Sequence, residues 1–384
     1  MKITIVCPDS SSNSMGRGYI LAQMLHKYYT VEIVAIDLSG TNSLWKPIQD
    51  ATDIPITIVP FSGRRIQQIL EKIDGDVIYA IKPIITSYGI GLLKSYVSGK
   101  KIVLDEDDWD FGNYYDRSLI QRLHQIIDVK NPYNLYLIFV LSKLSFLAHA
   151  VTVSSPFLQQ RFGGTIIPHA RNEALFDVNS TKVSQLQSTY NPDNKQIVLF
   201  LGTVRRHKGI DDIVAAMDKL NRNNLILMLV GVDDEAQALI PNRHYIVTIP
   251  PQPFHELAAY LALGTVVVLA QKPTAFSAGQ TPAKLFDAMA AKRPIIASKI
   301  GWTAKLLKGC GRTFEPGNTA ELAKEIASVL DDPIYAQKLA TNARKLYEER
   351  FSYTVVANQL KQVFDSLSQK LKDECNQEHI DKRD

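Results

Sequence analysis

The sequence predicts an α/β protein made of two tandem, doubly wound, Rossmann-like parallel-sheet domains. Three observations point there. The chain has 384 residues, too many for one ordinary domain. Short, unbroken Val/Ile-rich runs alternate with stretches whose apolar residues recur at helical spacing, the pattern of a parallel sheet covered on both faces. That alternation occurs twice, with a polar break from Asp177 to Asn194 between the two series.

In chain order, Lys2–Pro8 is the first strand. Asn13–Gly18 (NSMGRG) then turns into a helix with Ile20, Leu21, Met24 and Leu25 on its apolar face. Val31–Ile36, Ile56–Pro60, Val77–Ile81, Lys101–Leu104, Val151–Val153 and Thr165–Ile167 continue the strand series. The Asp177–Asn194 break is rich in Ser, Thr, Asn and Gln and reads as a linker. The second series has strands at Ile197–Thr203, Leu225–Val230, His244–Ile249, Thr265–Ala270 and Pro294–Ser298. Beyond Thr319 the chain reads as helical. Asn318-Thr319 caps Glu321–Leu330, Pro333 opens the next helix, Phe351–Leu371 is a last amphipathic helix, and Lys372–Asp384 is a charged tail. The expected division is 1–176, a linker at 177–195, 196–352, and a closing segment at 353–384.

A hydrophobic share of 46% with 21% charged residues describes a soluble globular chain. The net charge of +4 is too small for a general nucleic-acid binder, yet leaves room for local basic patches. Cys7, Cys310 and Cys375 are far apart and odd in number. They read as reduced thiols of a cytoplasmic protein, Cys7 packing on the first strand. The opening Met1–Cys7 run is too short for a signal peptide. Leu135–Val151 is the most apolar stretch, but it contains Ser142, Lys143, Ser145 and His149 and falls short of the ~20 clean residues of a membrane span. It reads as a buried helix or as an interfacial, membrane-docking one.

The chemistry concentrates in the second half. The run Ile197–Leu201 ends at Gly202, Lys208-Gly209 follow, and Ile210, Ile213, Val214 and Met217 recur at helical spacing. A basic loop between a strand and a helix N-terminus is a natural diphosphate site, because free N–H groups and the helix dipole favour anions and a lysine adds a point charge. Further on, Pro282–Ala290 puts Asp287 on a helix, where a carboxylate can accept two hydroxyls of a ribose. Between them, Phe276–Thr281 reads as a loop with little bulk at Ala278 and Gly279, open to close backbone approach.

This half resembles the retaining glycosyltransferases of the GT-B fold, family 4 in particular. The phosphate-loop pattern G-R-L-x-x-x-K-G is matched in spacing by Gly202-Thr-Val-Arg-Arg-His-Lys208-Gly209. The helix pattern P-x-K-x-x-E-A-M-A is matched by Pro282-Ala-Lys284-Leu-Phe-Asp287-Ala-Met-Ala, and Pro294–Ser298, Ile300-Gly301, Asp332-Pro333, Asn342-Ala-Arg and Phe351-Ser follow in the family's order. The first half matches less specifically: Val151–Ser155 and then Ile167-Pro-His169-Ala, on to Phe176, resemble the family's crossing between domains. Two positions depart from the family: its first glutamate falls on Gly279, and its loop arginine falls on Thr203.

The resemblance implies transfer of a sugar from a nucleotide-diphosphate sugar, UDP- or GDP-linked, to a saccharide, lipid or small-molecule hydroxyl. It also implies retention at the anomeric carbon, no metal and no cofactor beyond the co-substrate, and a last helix crossing back to the first domain. Lys208 then neutralises the diphosphate, with Arg205 or Arg206 as a second clamp. Gly16, Gly202, Thr203, Gly279, Gln280, Thr281 and Asp287 complete the donor site. The run Asp105-Glu-Asp-Asp-Trp-Asp110 closes a strand on the acceptor side, with Asp105, Asp107 and Asp108 binding acceptor hydroxyls or orienting the nucleophile, and His124 at the edge. Alone, that run would also suit a divalent metal on a donor diphosphate. His169 reads as structural. Two alternatives stay open: an epimerase of the same fold acting on the nucleotide sugar, and a nucleotide-sugar-binding protein without turnover. The expected location is cytoplasmic. Arg117, Arg122 and Lys130, near the apolar Leu135–Val151 stretch, tilt it toward the inner membrane face.

Overall fold

In the computed structural model every strand pairing is parallel. The structure describes residues 1–62, 65–128, 130–176 and 178–381, apart from the side chains of residues 126 and 370–381. The chain divides into two units. Unit 1 comprises Met1–Pro168 with Thr354–Asp384, and unit 2 is His169–Tyr353.

Unit 1 contains β1 (Lys2–Cys7), β2 (Thr30–Asp37), β3 (Ile56–Pro60), β4 (Val77–Ile81), β5 (Lys101–Glu106), β6 (Ala150–Val153) and β7 (Thr165–Ile166). Their order in the sheet is β3-β2-β1-β4-β5-β6-β7. β1 and β4 are buried almost throughout, as continuous aliphatic runs require of central strands. The order reverses between them, and doubly wound sheets bind ligands at the carboxyl ends of such a pair. The final helix, Tyr353–Asp381, packs in unit 1. The hydroxyls of Tyr28 and Tyr29 donate to Asn358 Oδ1 (2.8 Å) and Asp365 Oδ1 (2.6 Å), and buried Phe364 meets the Tyr79 ring edge-on at 5.2 Å.

Unit 2 contains β8 (Gln196–Leu201), β9 (Leu225–Val230), β10 (Ile246–Ile249), β11 (Val266–Leu269), β12 (Ile295–Ser298) and β13 (Arg312–Phe314), in the order β10-β9-β8-β11-β12-β13. Side chains of β8 alternate between two cores. Ile197, Leu199 and Leu201 join Leu285, Phe286 and Met289 on one face, while Val198 and Phe200 join Ile213, Met217 and Ile326 on the other. The reversal lies between β8 and β11.

Several segments differ from the sequence expectation. Residues 180–190, read as linker, form the helix Ser180–Tyr190, with Asn179 Oδ1 accepting from Thr181 N. Val183, Leu186 and Tyr190 fall on one face and pack on the unit 2 core, a helical spacing hidden in polar composition. β13 is three residues long and carries one aliphatic-free turn of sequence, too little for a periodic signal; it pairs with β12. Leu135–Val151 is not one helix. It forms the helix Leu135–Lys143, a 3-10 turn at Leu144–Leu147 and the start of β6. Leu135, Ile138 and Leu141 are buried. Cys7 and Cys310 are buried free thiols. The side chains of the expected Lys372–Asp384 tail, Cys375 included, lie outside the described residues, as does Asp177 of the expected linker. Among the described residues no helix is long and apolar enough to cross a membrane.

Candidate functional site

In unit 2 the chain leaves β8 through Gly202, at φ +140°, which side chains oppose. A Cβ there would meet only the Lys284 stem, at 3.7 Å, so that lysine lies beside the turn. The loop continues through Thr203 and Arg205 into a 3-10 turn at Arg206–Lys208, and Gly209, at φ +65°, starts the helix Ile210–Leu220. A Cβ on Gly209 would collide with the Ala270 carbonyl, so glycine lets this loop close on the end of β11.

That closure fixes Lys208. Its Nζ donates to Gln280 Oε1 at 3.0 Å, and the same oxygen accepts from buried Gln271 Nε2 at 2.6 Å. The segment expected as a loop, Phe276–Thr281, is mostly the short helix Ala275–Gly279. Thr274 and Ser277 cap each other: Ser277 N donates to Thr274 Oγ1 at 3.0 Å and Thr274 N to Ser277 Oγ at 2.8 Å. Gly279 is buried at its end. Thr281 Oγ1 is buried with no hydrogen-bond partner among the described residues. Arg205 donates to Asp233 Oδ2 at 3.2 Å, which turns it toward the end of β9, while Arg206 and Thr203 are exposed.

Asp287 is 2% exposed on the helix Ala283–Ala290. Its Oδ1 accepts from Arg171 Nε at 2.7 Å and its Oδ2 from Lys284 Nζ at 3.1 Å. Burial alone would push its pKa up, but Arg171 and Lys284 hold it below the usual carboxylate value. Burial and Arg171 pull the Lys284 pKa down, and Asp287 opposes them. Arg171 is itself locked: its guanidinium lies 4.0 Å from the Phe254 ring centre, and its carbonyl accepts from Tyr347 Oη at 2.8 Å. The expected carboxylate open to two ribose hydroxyls is therefore, in this arrangement, a carboxylate that fixes two cations. Arg171 stands 116 positions away, so sequence reasoning had no sign of it. Lys284 stands within the matched helix pattern and was legible there.

In unit 1 the acids of the Asp105–Asp110 run have separate fates. Asp105 is fully buried and takes a bidentate pair from Arg17, Nε to Oδ2 and Nη2 to Oδ1, both 2.9 Å. Thr152 Oγ1 and Tyr79 Oη also donate to it, at 2.6 and 3.3 Å. Its oxygens are filled, so the expected acceptor contact gives way to a structural pair that ties the helix Ser14–His26 to β5. Arg17 goes on to the Ile167 carbonyl at 2.8 Å. Glu106 is buried, and burial with Asp110 beside it lifts its pKa well above the ordinary value.

The next three acids surround Lys82, which sequence reasoning missed. Its Nζ stands 3.1 Å from Asp107, 3.4 Å from Asp108 and 2.9 Å from Asp110. Lys82 directly follows β4 and is held at φ +65°, a setting that disfavours a side chain and clusters at functional sites. Burial pushes Asp107 up to about 7 against the pull of Lys82. An ammonium thus occupies the middle of the run that alone suited a divalent cation. Among the described residues no three His, Cys, Asp or Glu side chains are placed to hold a metal ion.

Other expected residues lie apart. Gly16 sits in the first turn of the helix Ser14–His26, and a Cβ on it would come within 2.5 Å of the Trp45 ring. The indole fills the space expected for phosphate. His124 is exposed on the helix Leu119–Ile127. The His169 ring lies 6.5 Å from that of Phe286.

Residues 184–346 match the model of the family described as glycosyl transferases group 1. The alpha-D-kanosaminyltransferase of Streptomyces kanamyceticus is 26% identical over 191 residues, covering 47% of this chain and 48% of that protein. Glycogen synthase of Mycobacterium tuberculosis is 29% identical over 177 residues, covering 44% of this chain and 42% of that protein. The chain thus spans about half the length of these curated relatives. Among solved structures, Anabaena HepE in complex with UDP-glucose shares the fold, with a TM-score of 0.75 and 16% identity over 95% of this chain and 100% of that one.

Proposed function

We propose that this chain, a GT-B protein whose residues 184–346 belong to the glycosyl transferases group 1 family, moves a sugar from a UDP- or GDP-sugar to an acceptor hydroxyl with retention and without metal. The observation that carries this reading is Lys208, held by Gln280 in a glycine-bounded loop at the strand reversal of unit 2. The kinship with a kanosaminyltransferase and a glycogen synthase, and the UDP-glucose in the HepE complex, support the donor class.

As the bond from the anomeric carbon to the diphosphate breaks, negative charge grows on the departing phosphate. Lys208 and Lys284 and the N-terminus of the helix Ile210–Leu220 stabilise that charge more in the transition state than in the bound donor. Arg206, exposed on the same turn, is the second clamp in preference to Arg205, which Asp233 draws off. Thr281 Oγ1 and Gln280 supply polar contacts to the donor, and Gly279 keeps bulk away. Asp287 positions Lys284. The fixed cations do the neutralising that a metal would otherwise do. The acceptor oxygen attacks from the face the phosphate leaves, and a phosphate oxygen takes its proton, so no strong base is needed. The acceptor-binding role in unit 1 falls to Asp107, beside Lys82 and Asp108.

The test is nucleoside diphosphate release from UDP-, GDP-, ADP- and dTDP-sugars with EDTA present. Candidate acceptors are supplied, and the product's anomeric configuration is read by NMR. Release from one donor with a retained configuration is expected. An inverted product or dependence on added Mn²⁺ would remove retention or metal independence, and conversion of the donor to an epimer without release would replace the transferase reading.

A further inference from the structure

The helix Leu119–Ile127 of unit 1 carries its apolar face outward. Leu119, Ile120, Leu123 and Ile127 share one side of the helix and are 62–79% exposed. Among the described side chains, the helix meets the rest of unit 1 through polar groups. Gln125 is buried, its Oε1 accepting from Leu135 N at 2.9 Å, and Arg122 donates to the Tyr115 and Arg117 carbonyls at 2.9 and 3.0 Å. A capping box of Ser118 and Gln121 closes its first turn. The helix is therefore built in place, with its greasy face held off the core.

The neighbouring segment extends the surface. Leu135, Ile138 and Leu141 turn inward, while Tyr136, Phe139, Val140, Phe146 and Leu147 are exposed. The two helices touch. Around this face the charge is net positive. Between residues 116 and 147 stand Arg117, Arg122, Lys130 and Lys143 against the acids Asp116 and Asp128. Lys130 and Lys143 are exposed, and the Lys143 ammonium sits 5.6 Å from the Phe139 ring centre.

We propose that this face docks on an anionic lipid bilayer. The aliphatic and aromatic side chains enter the boundary between headgroups and acyl chains, and the cations meet lipid phosphates. An exposed apolar patch with a net positive surround suits a surface of the opposite sign. A second copy of the chain fits less well, because a two-fold pairing would set the lysines against themselves. The inference rests on unit 1 alone and goes beyond the donor-site reading.

The test is co-sedimentation of the full chain with phosphatidylcholine vesicles, with and without phosphatidylglycerol. Wild type is compared with Leu123→Glu/Ile127→Glu and with Lys130→Glu/Lys143→Glu. Wild type should sediment only with the anionic vesicles, and each double variant should lower apparent affinity about ten-fold or more. Unchanged melting and unchanged stabilisation by UDP or GDP would show that the variants fold, and would keep this test separate from the donor-site reading. The proposal is overturned by absence of binding to anionic vesicles, by equal binding to neutral ones, or by full binding of the glutamate variants. A wild-type dimer that Leu123→Glu/Ile127→Glu converts to monomer would assign the face to a second copy instead.

Discussion

Replacing Lys208 with alanine separates the donor-site assignment from a loop lysine of no consequence. The substitution removes one half-buried ammonium and its bond to Gln280, which keeps its second bond from Gln271. The apoprotein should therefore lose about 1 kcal/mol. A charge-assisted contact to a diphosphate contributes about 1.5–3 kcal/mol, so the Kd for the cognate nucleotide should weaken by roughly 10- to 150-fold. At a nucleotide concentration of about 100 Kd, wild type gains about 2.7 kcal/mol. For a unit of this size that raises the melting temperature by roughly 5–10 °C. At the same concentration a variant weakened ~100-fold sits near its own Kd and gains about 0.4 kcal/mol, roughly 1 °C. The assay is thermal melting with UDP, GDP, ADP or dTDP and EDTA, with Lys219→Ala, exposed near the C-terminal end of the helix Ile210–Leu220, as control. An undiminished shift for Lys208→Ala would refute the reasoning.

Further outcomes follow from the ion pairs. Asp287→Ala should cost about 3–5 kcal/mol in urea unfolding because it strands buried Arg171, and a combined Arg171→Met/Asp287→Leu change should recover much of that loss. Asp107 titrates at about 7 in the folded chain, above its ordinary value of 3.8, so the folded state holds the extra proton between those values. Its contribution is full in acid and is lost as pH rises through about 7, and Asp107→Asn should flatten that part of a melting-temperature-versus-pH curve. Asp287, with its lowered pKa, works oppositely: its contribution is lost as pH falls below the ordinary carboxylate range. Gly209→Ala meets both φ +65° and the Ala270 carbonyl, so it should cost at least about 1–3 kcal/mol and abolish nucleotide stabilisation, read in the same melts.

The strands show what periodicity carries. β1, β4, β8 and β9 are unbroken aliphatic runs, and each was legible as a buried parallel strand because both faces of such a strand need apolar cover. β13 and the helix Ser180–Tyr190 were not, since one is too short to show a period and the other buries only a narrow stripe amid polar residues. In unit 2, the strand–turn–helix arrangement of Gly202, Lys208 and Gly209 was legible because it is local: strand, turn and helix start lie within a dozen residues. The Asp105–Asp110 run misled for the opposite reason. Charge count is visible in a sequence, but the partners Arg17 and Lys82 come from other elements and decide which acids keep an open oxygen.

The sequence by itself thus determined the doubly wound sheets and the basic loop at a strand end, because hydrophobic period and turn chemistry act over neighbouring residues. Only the tertiary structure decided that Asp287 faces Arg171, that Asp105 is spent on Arg17, that Trp45 fills the space at Gly16 and that the Leu119–Ile127 face looks outward. Those outcomes depend on which distant side chain reaches a buried group first, and in a low-dielectric interior that pairing sets a residue's charge and its availability to a ligand.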